Sequence, residues 1–146
     1  MTRVIRASRR RVFDAWVRPD FIRQWFAPEN LAVTEAEIDL REGGGYRFSI
    51  EGTLGSDQTA GDACRRTGVT GQYTRVEPYD VLAFTWRGEW AAGEESLVTI
   101  EFRDVEGGTE MKLTHDRFLT EASKAGHERG WTSTLDKLGW FAEATE

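Results

Sequence analysis

The sequence predicts an α+β fold in which an antiparallel sheet of six to seven strands curves around a long C-terminal helix. Apolar and polar residues alternate in several short stretches between residues 34 and 115, which is typical of strands with one buried face. The end of the chain carries an apolar stripe at helical spacing, and two short helical patterns follow the first strand. A sheet with one apolar face needs a cover, and the final helix is the only predicted element long enough to provide it.

The N-terminal region predicts one strand and two short helices. Arg3–Ala7 is expected to form the strand, and Ser8 is a good N-cap for a helix over Arg9–Val17. Pro19 should end that helix. Asp20 is expected to cap a second helix, whose apolar residues are Phe21, Ile22, Trp25 and Phe26.

The middle of the chain predicts a series of hairpins. The first alternating stretch should turn Thr34, Ala36, Ile38 and Leu40 to one face, and the glycines 43–45 can supply the turn that follows. A polar loop is expected from Gly52 to Gly68, and the next strand from Val69 to Val76. The remaining residues predicted to point inward are Tyr46, Phe48, Ile50, Leu82, Phe84, Trp86, Val98, Ile100, Phe102, Met111, Leu113 and His115.

The last helix is predicted over Thr120–Ala142. Its apolar stripe consists of Trp131, Leu135, Leu138 and Ala142, and His127 lies one turn before it. Gly126 and Gly130 weaken this helix by about 0.5–1 kcal/mol each relative to alanine. Glycines four residues apart also allow a ligand or another backbone to approach the helix closely.

Bulk composition fits one globular domain over residues 1–146. The chain is 39% hydrophobic and 30% charged, which is within the globular range. Its apolar runs are too short for a membrane span, its N-terminus has no secretory pattern, and its single cysteine, Cys64, cannot form an intrachain disulfide. Together these features predict a cytoplasmic protein that is not an integral membrane protein.

Charge is distributed unevenly along the chain. Seven arginines and only two aspartates lie within residues 1–23, whereas the whole chain has a net charge of −6. A basic patch can attract phosphate or a membrane surface. A solvated helix face is the favoured interpretation, because an acidic protein repels nucleic acid. We therefore expect no nucleic-acid partner.

A series of short motifs runs along nearly the whole chain. In order they are Val12–Trp16 with Pro19 and Trp25, Asp39–Gly44, Gly71–Tyr73, Val76–Pro78, Leu82–Trp86, Glu95–Thr99, Gly108–His115 and Gly126–Trp131. Their order and spacing closely resemble the bacterial family related to the C-terminal domain of the activator of the ninety-kilodalton heat-shock protein ATPase. That family belongs to the START-like superfamily, also called SRPBCC.

The resemblance implies a helix-grip fold and a single START-like domain. It also implies a cavity between the sheet and the C-terminal helix, which in relatives holds lipids, aromatic polyketides, hormones or no identified ligand. Relatives usually carry several more residues before the position of Ser8, so the first strand of this chain is expected to be short.

A hydrophobic cavity lined by nine residues is the predicted binding site. Four residues should form its floor, three its helical lid, one its closed end, and His115 should lie at its mouth with His127. The floor is Phe48, Trp86, Phe102 and Met111, the lid is His127, Trp131 and Leu135, and the closed end is Trp25. Tryptophan supplies a large apolar area and one N–H donor, which suits an amphipathic ligand.

The only two histidines allow two interpretations. Both could border the cavity and bind a ligand or relay a proton, because histidine titrates near neutral pH. The favoured alternative is structural: each histidine caps a backbone carbonyl or packs against a tryptophan. No catalytic residue, metal ligand or cofactor is predicted, since two histidines and the distant Cys64 lack the spacing of a zinc site. Trp90 and Trp140 fall outside the inward stripes, which is compatible with a homodimer contact.

Three functions are compatible with these features. The leading hypothesis is the binding of a small apolar or aromatic ligand in the internal cavity. The second is a cyclase, dehydratase or hydrolase that uses a cavity histidine as a general base. The third is a stress-related regulator of a chaperone ATPase, which only the family resemblance suggests.

Overall fold

An antiparallel sheet and three helices make up the computed structural model, which describes residues 1–28, 30–53, 65–91 and 93–144. The strands in these ranges are β1 (Thr2–Ile5), β2 (Asn30–Ile38), β3 (Gly45–Thr53), β4 (Arg65–Glu77), β5 (Val81–Gly88), β6 (Ser96–Val105) and β7 (Gly108–Asp116). The helices are α1 (Arg9–Val17), α2 (Pro19–Trp25) and α3 (Glu121–Ala144), with a short 3₁₀ helix at Glu89–Ala91. This confirms the predicted α+β helix-grip fold.

The strands follow the order β1-β7-β6-β5-β4-β3-β2, so β2 to β7 form a meander and β1 joins it beside β7. All neighbouring strands are antiparallel. The sheet curls into a half-barrel, and the described residues leave β1 and β2 at its two edges. Antiparallel neighbours need no crossover connection, which explains why alternation and turn residues sufficed to predict this part of the fold.

The N-terminal segment closely follows its prediction. The side chain of Ser8 accepts a hydrogen bond from the backbone N–H of Arg11, which makes it the N-cap of α1. Strand β1 is short, as expected, and ends at Ile5 rather than at Ala7. Its four residues pair in register with β7, from Thr2 opposite Lys112 to Ile5 opposite Thr109.

Helix α2 begins two residues earlier than predicted. Pro19 is its first residue, and the N-cap position is Arg18, whose side chain makes no capping hydrogen bond. The missing N–H of proline costs nothing at this position, because the first helical N–H groups have no partner within the helix. Asp20 therefore lies inside the first turn of α2 and is not its N-cap. There its negative charge interacts favourably with the positive end of the helix dipole.

A β-bulge in β2 makes part of the predicted alternation wrong. The register with β3 shifts between Val33 and Glu35, so Thr34 is exposed rather than inward. Before the bulge Val33 is buried, and after it Ala36 packs against the core. An extra residue in one strand reverses the phase of every later side chain. Leu40 lies beyond the end of β2 and is exposed.

The hairpin from β3 to β4 extends further than predicted. Residues 52, 53 and 65–68 belong to strands rather than to the expected loop, and the pairing reaches Gly52 opposite Arg65. Cys64 and the rest of the predicted loop lie outside the described residues. At the other end of β3, Gly43 has a φ of +86°, so glycine meets the backbone requirement of the predicted turn.

Helix α3 covers the sheet with its second half. Its buried residues are Trp131, Thr134, Leu135, Leu138 and Ala142, which include the whole predicted stripe. The ten described residues from Glu121 to Gly130 contribute none. No helix within the described ranges is long and apolar enough to cross a membrane.

The N-terminal arginines are engaged with neighbouring groups. Arg3 forms an ion pair with Asp136 at 2.6 Å, and Arg9 contacts Asp80 and Asp104. The guanidinium of Arg11 lies over the ring of Phe141, 4.4 Å from its centroid. Exposed ion pairs contribute little stability. The arrangement fits the interpretation as a solvated surface, and the absence of a nucleic-acid partner stays a prediction.

Candidate functional site

Aromatic side chains from α1 fill the region in which part of the cavity was expected. Trp16 projects between the sheet and α3, and its indole N–H points at the sulfur of Met111, 3.4 Å away. Phe13 packs edge-on against Phe102, with 5.4 Å between ring centroids. Met111 and Phe102, two of the four predicted floor residues, are therefore in contact with side chains of α1 and lie in the packed core.

Three further predicted residues also belong to the packed core. The indole of Trp25 donates to the carbonyl of Ala15 at 3.0 Å. Phe48 packs against Phe26 with a centroid separation of 5.1 Å, and Leu135 is buried on the inner face of α3. None of these three residues lines the pocket that opens beside the core.

A pocket of about 790 Å³ opens beside this core. It lies between α3, the 3₁₀ helix, the segment after α2 and the adjoining parts of β2 to β5. Its volume falls within the range of about 300–1,000 Å³ that is typical of small-molecule sites. The lining residues are Phe26, Pro28, Leu31, Ile50, Arg66, Thr67, Trp86, Glu89, Trp90, Ala91, Ala122, Ser123, Gly126, His127, Gly130, Trp131 and Thr134.

Only Trp86, His127 and Trp131 of the nine predicted site residues line this pocket. His115 instead lines a separate depression of about 490 Å³ between the end of β7 and the start of α3. The displacement has a physical cause. Strand alternation identifies which side chains point inward, but it does not show that α1 inserts Trp16 into the space above Met111.

Gly126 and Gly130 form one wall of the pocket. A Cβ atom added to Gly126 would have its nearest neighbour at 3.9 Å, and one added to Gly130 would have it at 4.0 Å. An added Cβ would therefore make only ordinary van der Waals contact at either position, so these glycines are not required by a tight backbone contact. Their position on the pocket wall agrees with the interpretation that these glycines leave room for a ligand.

Replacing Gly130 with alanine should stabilise the fold. Alanine is about 0.8–1 kcal/mol more favourable than glycine inside a helix. Among the described residues outside that turn of the helix, the nearest atom to its methyl group would be Cγ of Pro28, at 4.0 Å. We expect the free energy of unfolding in urea to rise by about that amount. The matched control is Gly43→Ala, which should lower it, because φ at Gly43 is +86°. A loss of stability in Gly130→Ala would contradict the open wall.

His127 accepts hydrogen bonds from two tryptophans. The Nε1 atoms of Trp86 and Trp90 each lie 3.2 Å from its Nε2. Its Nδ1 lies 2.8 Å from the carbonyl oxygen of Ser123, one helical turn earlier. A carbonyl only accepts, so Nδ1 carries the proton and Nε2 presents its lone pair to the indoles.

His115 is held in the opposite tautomer. Its Nδ1 accepts from the indole of Trp131 at 2.9 Å, so its Nε2 carries the proton and donates to the hydroxyl of Ser96 at 2.7 Å. Desolvation by burial lowers the pKa of His115 from 6.5 to about 3, with the neighbouring His127 as the smaller cause. The centroids of the two imidazole rings are 5.0 Å apart. His115 therefore stays neutral at physiological pH.

Both favoured structural roles of the histidines match these contacts. His127 bonds a backbone carbonyl in its own helix, and both rings accept tryptophan N–H groups. The acceptor nitrogens are thus already engaged, which makes neither ring a ready general base. Among the described residues, no three His, Cys, Asp or Glu side chains are grouped so that they could hold a metal ion.

Two buried polar residues near the histidines, Glu94 and Ser96, were not predicted from the sequence. Glu94 is buried and accepts from the backbone N–H of Leu119 and from the hydroxyl of Ser123, both at 2.7 Å. Ser96 is buried below His115. Ser96 shares its strand face with Val98, so continued alternation could have identified it. Glu94 lies just before β6, where alternation gives no signal.

Trp90 is half exposed, as the sequence suggested, yet it lines the pocket. Its ring lies against Gly88, where an added Cβ would come within 2.4 Å of the indole. Glycine is therefore required beneath it. The more exposed Trp140 does not line the pocket, and a homodimer contact at either tryptophan stays a prediction.

Comparison with known proteins identifies the family. Residues 6–143 match the family described as activator of Hsp90 ATPase homolog 1-like protein. The chain belongs to this family. The match covers nearly the whole sequence and confirms the resemblance in its motifs. No functionally curated protein matches this AHSA1-like chain significantly.

Solved structures share the AHSA1-like fold. The AHSA1 protein from Silicibacter pomeroyi is 28% identical, with a TM-score of 0.75, over 95% of this chain and 92% of that one. CalU16 from Micromonospora echinospora is 26% identical, with a TM-score of 0.65, over 97% of this chain and 73% of that one. A protein from Chromobacterium violaceum is 21% identical, with a TM-score of 0.79, over 98% and 94%, and shows the fold alone.

Proposed function

We propose that this AHSA1-like domain binds a small apolar or aromatic ligand in the pocket between the first half of α3 and the 3₁₀ helix. The observation that carries the proposal is the lining of that pocket. Three tryptophans, Trp86, Trp90 and Trp131, line it together with Gly126 and Gly130 of α3. Predominantly apolar walls with a few polar groups are typical of small-molecule sites.

Two of the pocket's tryptophans, Trp86 and Trp131, form a fixed aromatic surface. Trp131 and Trp86 are buried and lie 5.2 Å apart between ring centroids. Trp131 is also anchored through its hydrogen bond to His115, and Trp86 through its bond to His127. A pre-organised aromatic surface loses little conformational entropy when a ligand binds, which supports a binding role.

Acid–base catalysis is not favoured by this geometry, because the acceptor nitrogens of both histidines are occupied by indole N–H groups. Regulation of a chaperone ATPase stays a prediction from the family resemblance. A cytoplasmic location stays a prediction as well.

A large side chain on the α3 wall of the pocket should weaken ligand binding. We expect Gly130→Leu to weaken the binding of 2-ethylnaphthalene about ten- to a hundredfold, because forcing methylenes into occupied space costs about 1–3 kcal/mol. The matched control is Gly139→Leu, which is on the same helix but outside the pocket. No atom of the described residues beyond its own stretch of helix lies within 4 Å of a Cβ added there. Affinities would come from chemical-shift titration of the ¹⁵N-labelled protein, and native mass spectrometry of freshly purified protein would reveal a co-purified molecule.

Two results would contradict the proposal. One is equal weakening, or none, in Gly130→Leu and Gly139→Leu, which would place binding elsewhere. The other is a wild-type protein that carries no small molecule after purification and binds neither 2-ethylnaphthalene nor 2-acetonaphthone.

A further inference from the structure

One nitrogen of His127 faces two hydrogen-bond donors. The indole N–H groups of Trp86 and Trp90 both point at its Nε2 from 3.2 Å, while its Nδ1 donates to the carbonyl of Ser123. A neutral imidazole has one lone pair, and an indole nitrogen only donates. Both tryptophans therefore depend on a single acceptor that exists only while the ring of His127 is neutral.

Protonation of His127 replaces that acceptor with a further donor. The new N–H at Nε2 would point at two indole N–H groups, and neither of them can accept it. Buried donors without a partner are strongly unfavourable. The charged ring therefore requires one tryptophan to move away and an acceptor to enter.

Trp90 is the tryptophan that can move. Trp86 is 5% exposed, and its ring packs against those of Phe26 and Trp131. Trp90 is 47% exposed, which makes it the outermost of the three tryptophans that line the pocket, and it stands on the three-residue 3₁₀ helix. Water in the space that it leaves would accept from both the Nε2–H of His127 and the indole of Trp86, because an ordered water makes two to four hydrogen bonds.

Two carboxylates near His127 favour a positive charge on its ring. The buried Glu94, which does not line the pocket, accepts from the hydroxyl of Ser123, and this hydroxyl lies 3.5 Å from Nδ1 of His127. Glu89 of the 3₁₀ helix lines the pocket itself. A proton on His127 would therefore be partly compensated from two neighbouring elements.

The cations near His127 oppose that charge less directly. Arg66 of β4 lines the pocket, but its side chain is 82% exposed, and water screens such a charge. Lys124 of α3 lines the separate depression at the end of β7. His115 lies 5.0 Å away between ring centroids, but its pKa of about 3 keeps it neutral in mildly acidic solution. A proton taken up there by the two histidines therefore resides on His127.

We propose that the pocket is regulated by pH: proton uptake by His127 releases Trp90 and opens the outer edge of the pocket, so that ligand affinity falls in mildly acidic solution. The inference rests on the proposed binding function and names the regulation of that site. Because coupling between two binding events is reciprocal, a ligand that needs Trp90 in place also favours loss of the proton.

Binding of 2-ethylnaphthalene tests the regulation, because this probe has no titratable group. In the wild type we expect its dissociation constant to be about 3- to 10-fold higher at pH 5 than at pH 7.5, which is the contribution of a typical hydrogen bond. His127→Gln should abolish the difference, since the amide oxygen can accept in place of Nε2 but does not titrate. The control variant is His115→Asn, which should retain the difference.

Solvent exchange of the indole N–H groups tests the release of Trp90 without any ligand. Trp140, which is 70% exposed, provides a reference in the same sample, because both indoles share the intrinsic pH dependence of exchange. We expect the ratio of the Trp90 rate to the Trp140 rate to rise about 3- to 10-fold from pH 7.5 to pH 5 in the wild type. The ratio should stay constant in His127→Gln.

Three results would overturn the regulation while leaving the binding function intact. They are a constant exchange ratio in the wild type, a pH effect on binding that persists in His127→Gln, and a pH effect that disappears in His115→Asn. Absence of binding at both pH values together with a rising exchange ratio would instead overturn the binding function and not the release of Trp90.

Discussion

Replacing Trp16 with alanine is expected to cost about 3–5 kcal/mol of unfolding free energy, as is typical when a large buried aromatic is truncated. Trp16 is buried between the sheet and α3, and its ring contacts those of Trp25, Phe84 and Trp131. Its removal leaves a cavity that these rings cannot fill without leaving their rotamers. Urea denaturation monitored by far-ultraviolet circular dichroism would measure the loss.

Trp140→Ala is the matched control for this experiment. It removes the same side chain from a position on α3 that is 70% exposed, so the change in unfolding free energy should stay within about 0.5 kcal/mol. A similar loss in both variants would mean that Trp16 does not fill the interior.

Acid should destabilise the domain through His115. Its pKa is about 3 in the folded protein and 6.5 as an ordinary group, so between these values the unfolded chain binds a proton that the folded one does not. Stability therefore falls as the pH drops below 6.5. Each pH unit within the window costs about 1.4 kcal/mol, which amounts to about 2 kcal/mol between pH 6.5 and 5.

His115→Asn isolates this contribution. The asparagine amide keeps one donor and one acceptor but does not titrate. We expect the wild type to lose about 2 kcal/mol of its stability relative to the variant when urea denaturation at pH 7.5 is compared with pH 5. A difference that is independent of pH would show that His115 takes up its proton equally in both states.

Local patterns were sufficient to predict most of the fold. The alternation at Tyr46, Phe48 and Ile50 reflects one buried sheet face, and all three are buried in the structure. The apolar stripe of α3 and the N-cap at Ser8 were also predicted correctly from local patterns. These features depend on near neighbours in the chain, so periodicity and capping chemistry identify them.

The exact place of the pocket could not be predicted in the same way. It depends on distant segments meeting: Trp16 of α1 occupies the space above Met111, whereas Trp90 lies against Gly88 and reaches His127. Periodicity shows that a residue points inward but not which side chain from another element already occupies the space. The bulge at Thr34 has the same origin, because strand pairing produces it and no local sequence signal marks it.

Helix α3 consists of two segments that differ in how much of their surface is buried against the core. From Trp131 onward it is fixed to the core, whereas the turns from Glu121 to Gly130 bury no side chain and include two glycines. Opening those turns exposes little apolar surface, so their amide protons can exchange with solvent without global unfolding. A molecule in the pocket would contact this same segment at Ala122, Ser123 and Gly126. Part of its binding free energy would then be spent on ordering the helix, which links occupancy of the pocket to the local cooperativity of α3.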